Sequence, residues 1–382
     1  MKHWHFETQS VHAGRSIDPA TRAVVPPLHL STTFERDQDG SYPQGFHYAT
    51  FDNPNRAWLE QAVCDLEDGA RAIASSSGMA AIAGVLSTLD PGDRVIISYD
   101  LFQGTARLIN EQLARMGIEV DIIDTTNLDQ VKRTLKPKTR MIWLDTPSNP
   151  LLRVSDISAI SELAKPQGVR VAVDSTFATF ALQKPLQLGA DVAVHAATKY
   201  ISGHSDVVNG LAVFAAADVF YERARSFQIN VGTVPAPFDC WLVHRGLRTL
   251  PLRVHAQSAS ALRIAHFLES HSRVAQVYYP GLPSDPGHSI AKRQMTGGFG
   301  GMISFASKGG PSAAKSIVAR TKLFSRAASL GGVESLIEHR ASSPIQTSGI
   351  GTGFRLPNDI IRLSIGVEHV DDLITDLQSA LN

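Results

Sequence analysis

Residues 170–174 read Arg-Val-Ala-Val-Asp, and residues 191–199 read Asp-Val-Ala-Val-His-Ala-Ala-Thr-Lys. Each is a short apolar run, rich in β-branched valine, that stops on a polar side chain and passes straight into a loop. Runs this short and this continuously apolar are strands buried on both faces, as in a parallel sheet covered by helices. The same pattern predicts strands at Arg94–Ser98, Val120–Asp124 and Met141–Asp145. Between them the spacing turns helical, over Trp58–Glu67 and over Gly78–Leu89, the latter a buried helix too short to cross a bilayer. Alternating strands and helices give an α/β fold with a mainly parallel sheet. In such sheets ligands sit beyond the carboxyl ends of the strands, so Asp145, Asp174 and the loop after His195 mark the expected site.

Outward from this block the texture changes on both sides. Residues 1–50 show no sustained period and carry Pro26-Pro27 and a Gly/Ser/Pro-rich stretch, which reads as an arm. The large domain is expected over 51–246. Past Gly246 come a helix at His255–Ser270, a strand near Gly301–Ala306 and a closing strand-helix pair over Ile360–Leu381, which predict a smaller α+β domain over 247–382.

At 382 residues the chain exceeds the roughly 100–200 of one ordinary domain, and its 43% hydrophobic and 19% charged residues describe a globular protein. Lysine plus arginine total 36 and aspartate plus glutamate total 36, so there is no net field to gather nucleic acid or anionic lipid. A small molecule is the expected partner. Met1–Glu7 lacks the apolar region of a signal peptide, and no window reads as membrane-spanning. The two cysteines, Cys64 and Cys240, are too few for a disulfide scaffold and too far apart for a metal knuckle. A reducing, cytoplasmic setting is expected.

Three features carry chemistry. Ser75-Ser76-Ser77-Gly78-Met79 opens a helix, where free N–H groups favour an anion such as phosphate; serine capping alone is the plainer explanation. Lys199 follows an apolar strand at its ligand-binding end, where partial desolvation lowers an amine pKa and suits Schiff-base chemistry, although most lysines are solvated surface charges. Asp174 closes the strand one crossover earlier. It is either a turn former or the carboxylate that keeps a pyridine nitrogen protonated. Taken together the three define pyridoxal phosphate (PLP) as the cofactor.

The chain resembles the Cys/Met-metabolism family of PLP enzymes, the cystathionine γ-synthase and γ-lyase group, over nearly its whole length. The resemblance rests on Pro26–Phe34, Asn53-Pro54, Ser76–Ala81, Asn149–Leu152, Asp174–Thr179, Thr198–Tyr200, Gly203–Asp206, Arg245–Leu250, Ser329–Leu336 and Arg362–Gly366. It implies the aspartate-aminotransferase-like fold, called fold type I. It implies that Lys199 bonds the cofactor and shuttles protons, that Asp174 pairs with the ring nitrogen, and that Phe102 stacks on the ring. Ser77, Gly78, Met79, Thr176, Ala196 and Thr198 would line the cofactor, with the phosphate on Gly78, Met79 and Thr198. Arg362, with Ser329 and Asn149, would hold the substrate carboxylate. Tyr48 would reach the phosphate and substrate of a neighbouring subunit, making a dimer the smallest active unit and a homotetramer the expected assembly.

The departures matter as much. The family's Tyr-x-Arg ends here in Thr50, its serine two before Thr-Lys is Ala196, and its stacking tyrosine is Phe102. The first two changes remove phosphate ligands, for which Arg56 or Arg71 are candidate replacements. The third removes a phenol that would protonate a leaving group, so a γ-oxygen substituent that departs readily is expected, as in an O-acyl homoserine or canavanine. The stretch Glu338–Pro344 lacks the family's proline after His339 and its Met-Thr-His, which predicts a remodelled substrate mouth. Glu334 is expected to read a basic distal group of the substrate, with capping or solvation of a loop as the alternative. The expected activity is γ-elimination or γ-replacement on a γ-substituted amino acid, cystathionine included. The alternatives are a β-eliminating C–S lyase, a transaminase-like half-reaction, and an atypical member with little or no lyase activity.

Overall fold

The computed structural model describes residues 4–15, 17–342 and 356–382. Its first sheet has seven strands: β1 (Arg71–Ser75), β2 (Arg94–Ser98), β3 (Glu119–Ile123), β4 (Thr139–Asp145), β5 (Arg170–Asp174), β6 (Val192–His195) and β7 (Gly210–Phe214), in the order β1-β7-β6-β5-β4-β2-β3. The five expected strands lie here, each within two residues of its expected ends. Two strands, β1 and β7, were not expected. The pairs β2·β3, β2·β4, β4·β5 and β5·β6 are parallel, whereas β7 runs antiparallel to both β6 and β1. The sheet is therefore mixed at one edge.

That reversal has a positional effect. The carboxyl ends of β4, β5 and β6 lie along one rim, and an antiparallel β7 brings its first residue to the same rim. Gly210 there pairs with Ser75, the last residue of β1. The sheet buries both faces as continuous apolar strands must: Ile73, Val95, Ile97, Met141, Trp143, Ala172, Val194 and Phe214 pack with the helix Gly78–Leu86 in one cluster. Ile96, Ile142, Leu144, Val171 and Val173 pack with the helix Ile157–Ala164 in another.

The second sheet comprises β8 (Val274–Tyr278), β9 (Met302–Ser307), β10 (Ser325–Arg326), β11 (Leu336–His339) and β12 (Ile360–Ser364), in the order β10-β11-β12-β9-β8. Its own core joins Ile303, Phe305, Ile337, Ile361 and Leu363 to Leu373 and Leu377 of the closing helix Val370–Leu381. The helix Leu250–Ser270 ties the halves together. Leu250 and Val254 near its start are buried with the first body, while Ala261, Ile264 and Leu268 near its end are buried with the second. No described helix is long and apolar enough to cross a membrane.

Candidate active site

A cavity of about 310 Å³ opens where the rim of the first sheet faces the second sheet. Ser77, Gly78, Met79, Phe102, Asn149, Asp174, Thr176, Ala196, Thr198, Lys199, Ser329 and Arg362 all line it. These were the residues expected, brought together from both sheets.

Local packing explains the anion end. Ser77 caps the helix Gly78–Leu86, its hydroxyl accepting from Ala80 N at 3.1 Å, which leaves Gly78 and Met79 in the first turn with no carbonyl a turn earlier to bond. A Cβ on Gly78 would meet the Ala196 Cβ at 2.7 Å, so only glycine lets this loop lie on the exit of β6. Ala196 N in turn donates to the Thr176 hydroxyl at 2.9 Å. Thr198 is fixed by a reciprocal pair with Asn209, receiving from its N–H at 3.0 Å and donating to its carbonyl at 3.1 Å.

At the far side of the cavity, register rather than loop packing sets the geometry. Arg362 on β12 lies opposite Glu338 on β11. Its guanidinium donates to the Asn149 side-chain oxygen at 3.0 Å, the Ser329 carbonyl at 3.1 Å and the Glu338 carboxylate at 2.9 Å. Arg340 donates to the same Glu338 oxygen at 2.7 Å. Ser329 sits in the left-handed region at φ 86°, a conformation costing about 1–3 kcal/mol for a residue with a side chain, and it serves both ends of the site. Its carbonyl holds Arg362, and its hydroxyl accepts from Lys199 Nζ at 2.7 Å.

The electrostatics follow from burial. Desolvation, with the Arg362 cation second, pushes the Lys199 amine down to about 8, while Glu338 opposes the fall. Asp174 and Asp145 end adjacent strands in register. Both are held above the ordinary carboxylate range, chiefly by burial, and for Asp145 also by the charge of Asp174. Asp174 accepts from Thr176 N at 3.0 Å, and Asp145 accepts from the backbone N–H of Phe102 at 2.7 Å.

Two expected residues lie elsewhere. Tyr48 is half exposed and outside the cavity of its own chain. Glu334 is also outside it and accepts a hydrogen bond from the Ser205 hydroxyl, so among the described residues of one chain no contact of Glu334 supports reading a basic substrate group. Neither Arg56 nor Arg71 reaches the anion end: Arg56 is buried on the carbonyl of Ala49 and beside Asp52 and Glu60, and Arg71 begins β1 at the opposite end of the strand. Glu338, Arg340 and Arg107 line the cavity without having been given a role, and so does Asp145, which was expected only as a marker of the site. Asp145 was visible as a polar strand end beside Asp174. The pairing of Glu338 with Arg362 needed the β11·β12 register. Of the stretch expected to remodel the mouth, Ser343 and Pro344 lie outside the described residues.

The arrangement fits PLP. One end offers a glycine-relieved helix N-terminus and a hydroxyl for a phosphate, the middle a partly desolvated amine for an aldehyde, and the floor a buried carboxylate with no ion pair among the described residues.

The profile of the family described as "Cys/Met metabolism PLP-dependent enzyme" matches residues 7–382. The cystathionine gamma-synthase of Mycobacterium leprae is 48% identical over 377 residues, covering 98% of this chain and 96% of the relative. The cystathionine beta-lyase of Coxiella burnetii is 42% identical over 386 residues, covering 99% and 98%. Among solved structures, metB from Corynebacterium glutamicum superposes with a TM-score of 0.97 at 41% identity, covering 100% of this chain and 98% of that one.

Proposed function

Since the chain belongs to the Cys/Met metabolism PLP-dependent enzyme family, we propose that it carries out γ-elimination or γ-replacement on a γ-substituted amino acid. PLP is its cofactor and, when bound, supplies an electron sink for the charge left on the substrate's α-carbon. The observation that carries the reading is the convergence of Lys199, Asp174 and Arg362 on one cavity, with Lys199 and Arg362 joined through Ser329.

The residues divide the work. Gly78, Met79, Ser77 and Thr198 would hold the phosphate, and Asp174 would keep the ring nitrogen protonated, its own charge offset by that cation. Phe102 offers an aromatic face without a phenol, and Thr176 and Ala196 complete the wall. Arg362, steadied by Asn149 and Ser329, would take the substrate's α-carboxylate in a charge-assisted pair. That contact would turn the α-hydrogen toward Lys199, whose lowered pKa leaves a usable neutral fraction near neutrality to take the α proton and then move a β proton. With no phenol at position 102, a γ-substituent stable as a free oxyanion is favoured.

The same reading places Tyr48 in the site of a second copy. Its exposure, with that of Val24, Val25, Leu28 and Leu30 on the same arm, supports a shared dimer site and, by doubling, a tetramer. It divides the chain into the arm (1–50), a cofactor-binding body (51–246) and a smaller body (247–382) that closes over the substrate. Cys64 and Cys240 are free and buried, which supports a reducing, cytoplasmic setting.

The test is to offer the purified, cofactor-loaded protein cystathionine, O-acetylhomoserine, O-succinylhomoserine and canavanine, with and without cysteine, following ammonia, oxoacid and thioether product. At least one turns over, and Lys199→Ala abolishes it. If the cofactor is bound and none reacts, the reading is wrong.

A further inference from the structure

The backbone carbonyls of Ala49, Thr50 and Phe51 follow Tyr48 directly, and each is held by a guanidinium. Arg56, in the helix Pro54–Glu67, donates to Ala49 at 2.9 Å and to Thr50 at 3.4 Å. Arg225, in the helix Val219–Val231, donates to Phe51 at 3.0 Å. The two cations meet on one carboxylate: Glu60 accepts from Arg225 at 2.9 Å, and the same oxygen lies 3.9 Å from the Arg56 Nε. The Tyr48 carbonyl closes the turn, accepting from the N–H groups of Phe51 and Asp52 at 3.0 and 3.1 Å.

The same side chains also grip the sheet. β1 is the outermost strand and pairs only with β7, so the polar groups on its free edge must find other partners. Ala74 finds them here. Its N–H donates to that same Glu60 oxygen at 2.9 Å, and its carbonyl accepts from the Gln228 amide. Arg225 donates to Gln228 as well, at 2.7 Å. Just beyond β1, Ser77 caps the helix whose first turn forms the anion end of the site. Arg225 therefore touches, through its own donors, both the turn that carries Tyr48 and the residues that brace the anion loop. A guanidinium can do this because its fork aims donors in two directions, which a lysine ammonium cannot match.

We propose that Arg225 is a positioning residue for Tyr48, tying the arm that reaches a second copy's site to the strand that leads into the chain's own anion loop. The inference rests on the shared site proposed above and deepens it: each chain links the site it holds to the site it completes. Thr50 stands where the family has a phosphate-binding arginine, so the arm's contribution falls to Tyr48 and its placement counts for more.

Hybrid dimers test this one arm at a time. A Lys199→Ala chain serves as arm donor and a Tyr48→Ala chain as site donor, isolated together through different affinity tags. The one complete site then joins Lys199 of the site donor to Tyr48 of the arm donor. Cofactor affinity there is read by borohydride fixation to the single remaining Lys199, with turnover followed beside it. Arg225→Gln in the arm donor is expected to weaken that affinity by about threefold or more, the scale of coupling within one polar network. The same substitution should cost nothing further once the arm donor also lacks Tyr48, a result that a general loss of stability would not reproduce. Should Arg225→Gln prevent pairing, Glu60→Gln takes its place with the same expectation, since it keeps an oxygen for Ala74 while removing the charge both guanidiniums share. An arm-donor substitution without effect overturns the proposal, as does a loss confined to the site donor or one that persists without Tyr48. If the parental hybrid binds cofactor no better than the Tyr48→Ala homodimer, the shared site itself fails and the proposal falls with it. If binding behaves as expected and no substrate reacts, the reaction reading fails and the tether stands.

Discussion

Lys199 illustrates how one side chain is tuned by neighbours with opposite effects. Burial and the Arg362 cation lower its pKa to about 8, and Glu338 raises it. Only the neutral amine attacks an aldehyde, so capture of the cofactor by protein stripped of it should accelerate with rising pH, with a midpoint near 8. Arg362→Gln removes a lowering influence and should move that midpoint upward; Glu338→Gln removes a raising one and should move it down. Stopped-flow absorbance of cofactor binding across pH reads both signs in one series, and a midpoint indifferent to both substitutions would sever the electrostatic link. Lys199 and Asp174 were legible in the residues themselves, because each follows or ends an apolar run and its chemistry does not depend on a distant partner, whereas Arg362 came from the family resemblance alone. Glu338 and Arg340 were quoted only as part of an altered stretch. Their meaning depends on facing Arg362 across two strands, and no local spacing encodes that pairing.

Elements were readable in proportion to how far their apolar runs exceeded their neighbours'. The strands ending at Ser98, Asp145, Asp174 and His195 stand out, being continuous, β-branched and closed by a polar residue. β1 reads Arg-Ala-Ile-Ala-Ser and β7 reads Gly-Leu-Ala-Val-Phe. Alanine and leucine serve a buried helix equally well, and periodicity cannot separate the two in so short a run. The direction of β7 is still less accessible, since it is set by its partners β1 and β6. Yet that direction is what lays Gly210 beneath the anion loop. A Cβ at Gly210 would collide with the Ser77 carbonyl and come within 2.7 Å of the Gly78 nitrogen. Gly210→Ala should therefore displace the loop, lowering cofactor occupancy of the purified protein several-fold while far-ultraviolet circular dichroism changes little. Full occupancy in this variant would show that the loop tolerates movement there.

At the scale of the whole molecule, the expected α/β body, mainly parallel sheet and smaller C-terminal α+β body were legible, because chain length and alternation constrain architecture strongly. How copies combine was not. The exposed arm residues Leu30 and Tyr48 have relative exposures of 68% and 48% in a single chain, and a shared site gives them a place. If Tyr48 completes the site of a second copy, Lys199→Ala and Tyr48→Ala are each defective in different halves of one unit. Unfolding them together and refolding at equal amounts should produce mixed dimers with one intact site, recovering about a quarter of wild-type activity by random pairing. No recovery beyond the sum of the separate variants would mean that each chain works with its own residues.

The paired carboxylates at the ends of β4 and β5 carry a further consequence. Burial holds Asp145 and Asp174 above the ordinary carboxylate range, so the folded protein binds protons that the unfolded chain has released. The empty fold thus loses stability as pH climbs from that range through the raised values, and a pyridinium held by Asp174 would offset the loss. Durability then becomes a readout of vitamin supply: copies that have gone unfilled are the first to come apart, and increasingly so as the surroundings grow less acidic through that window.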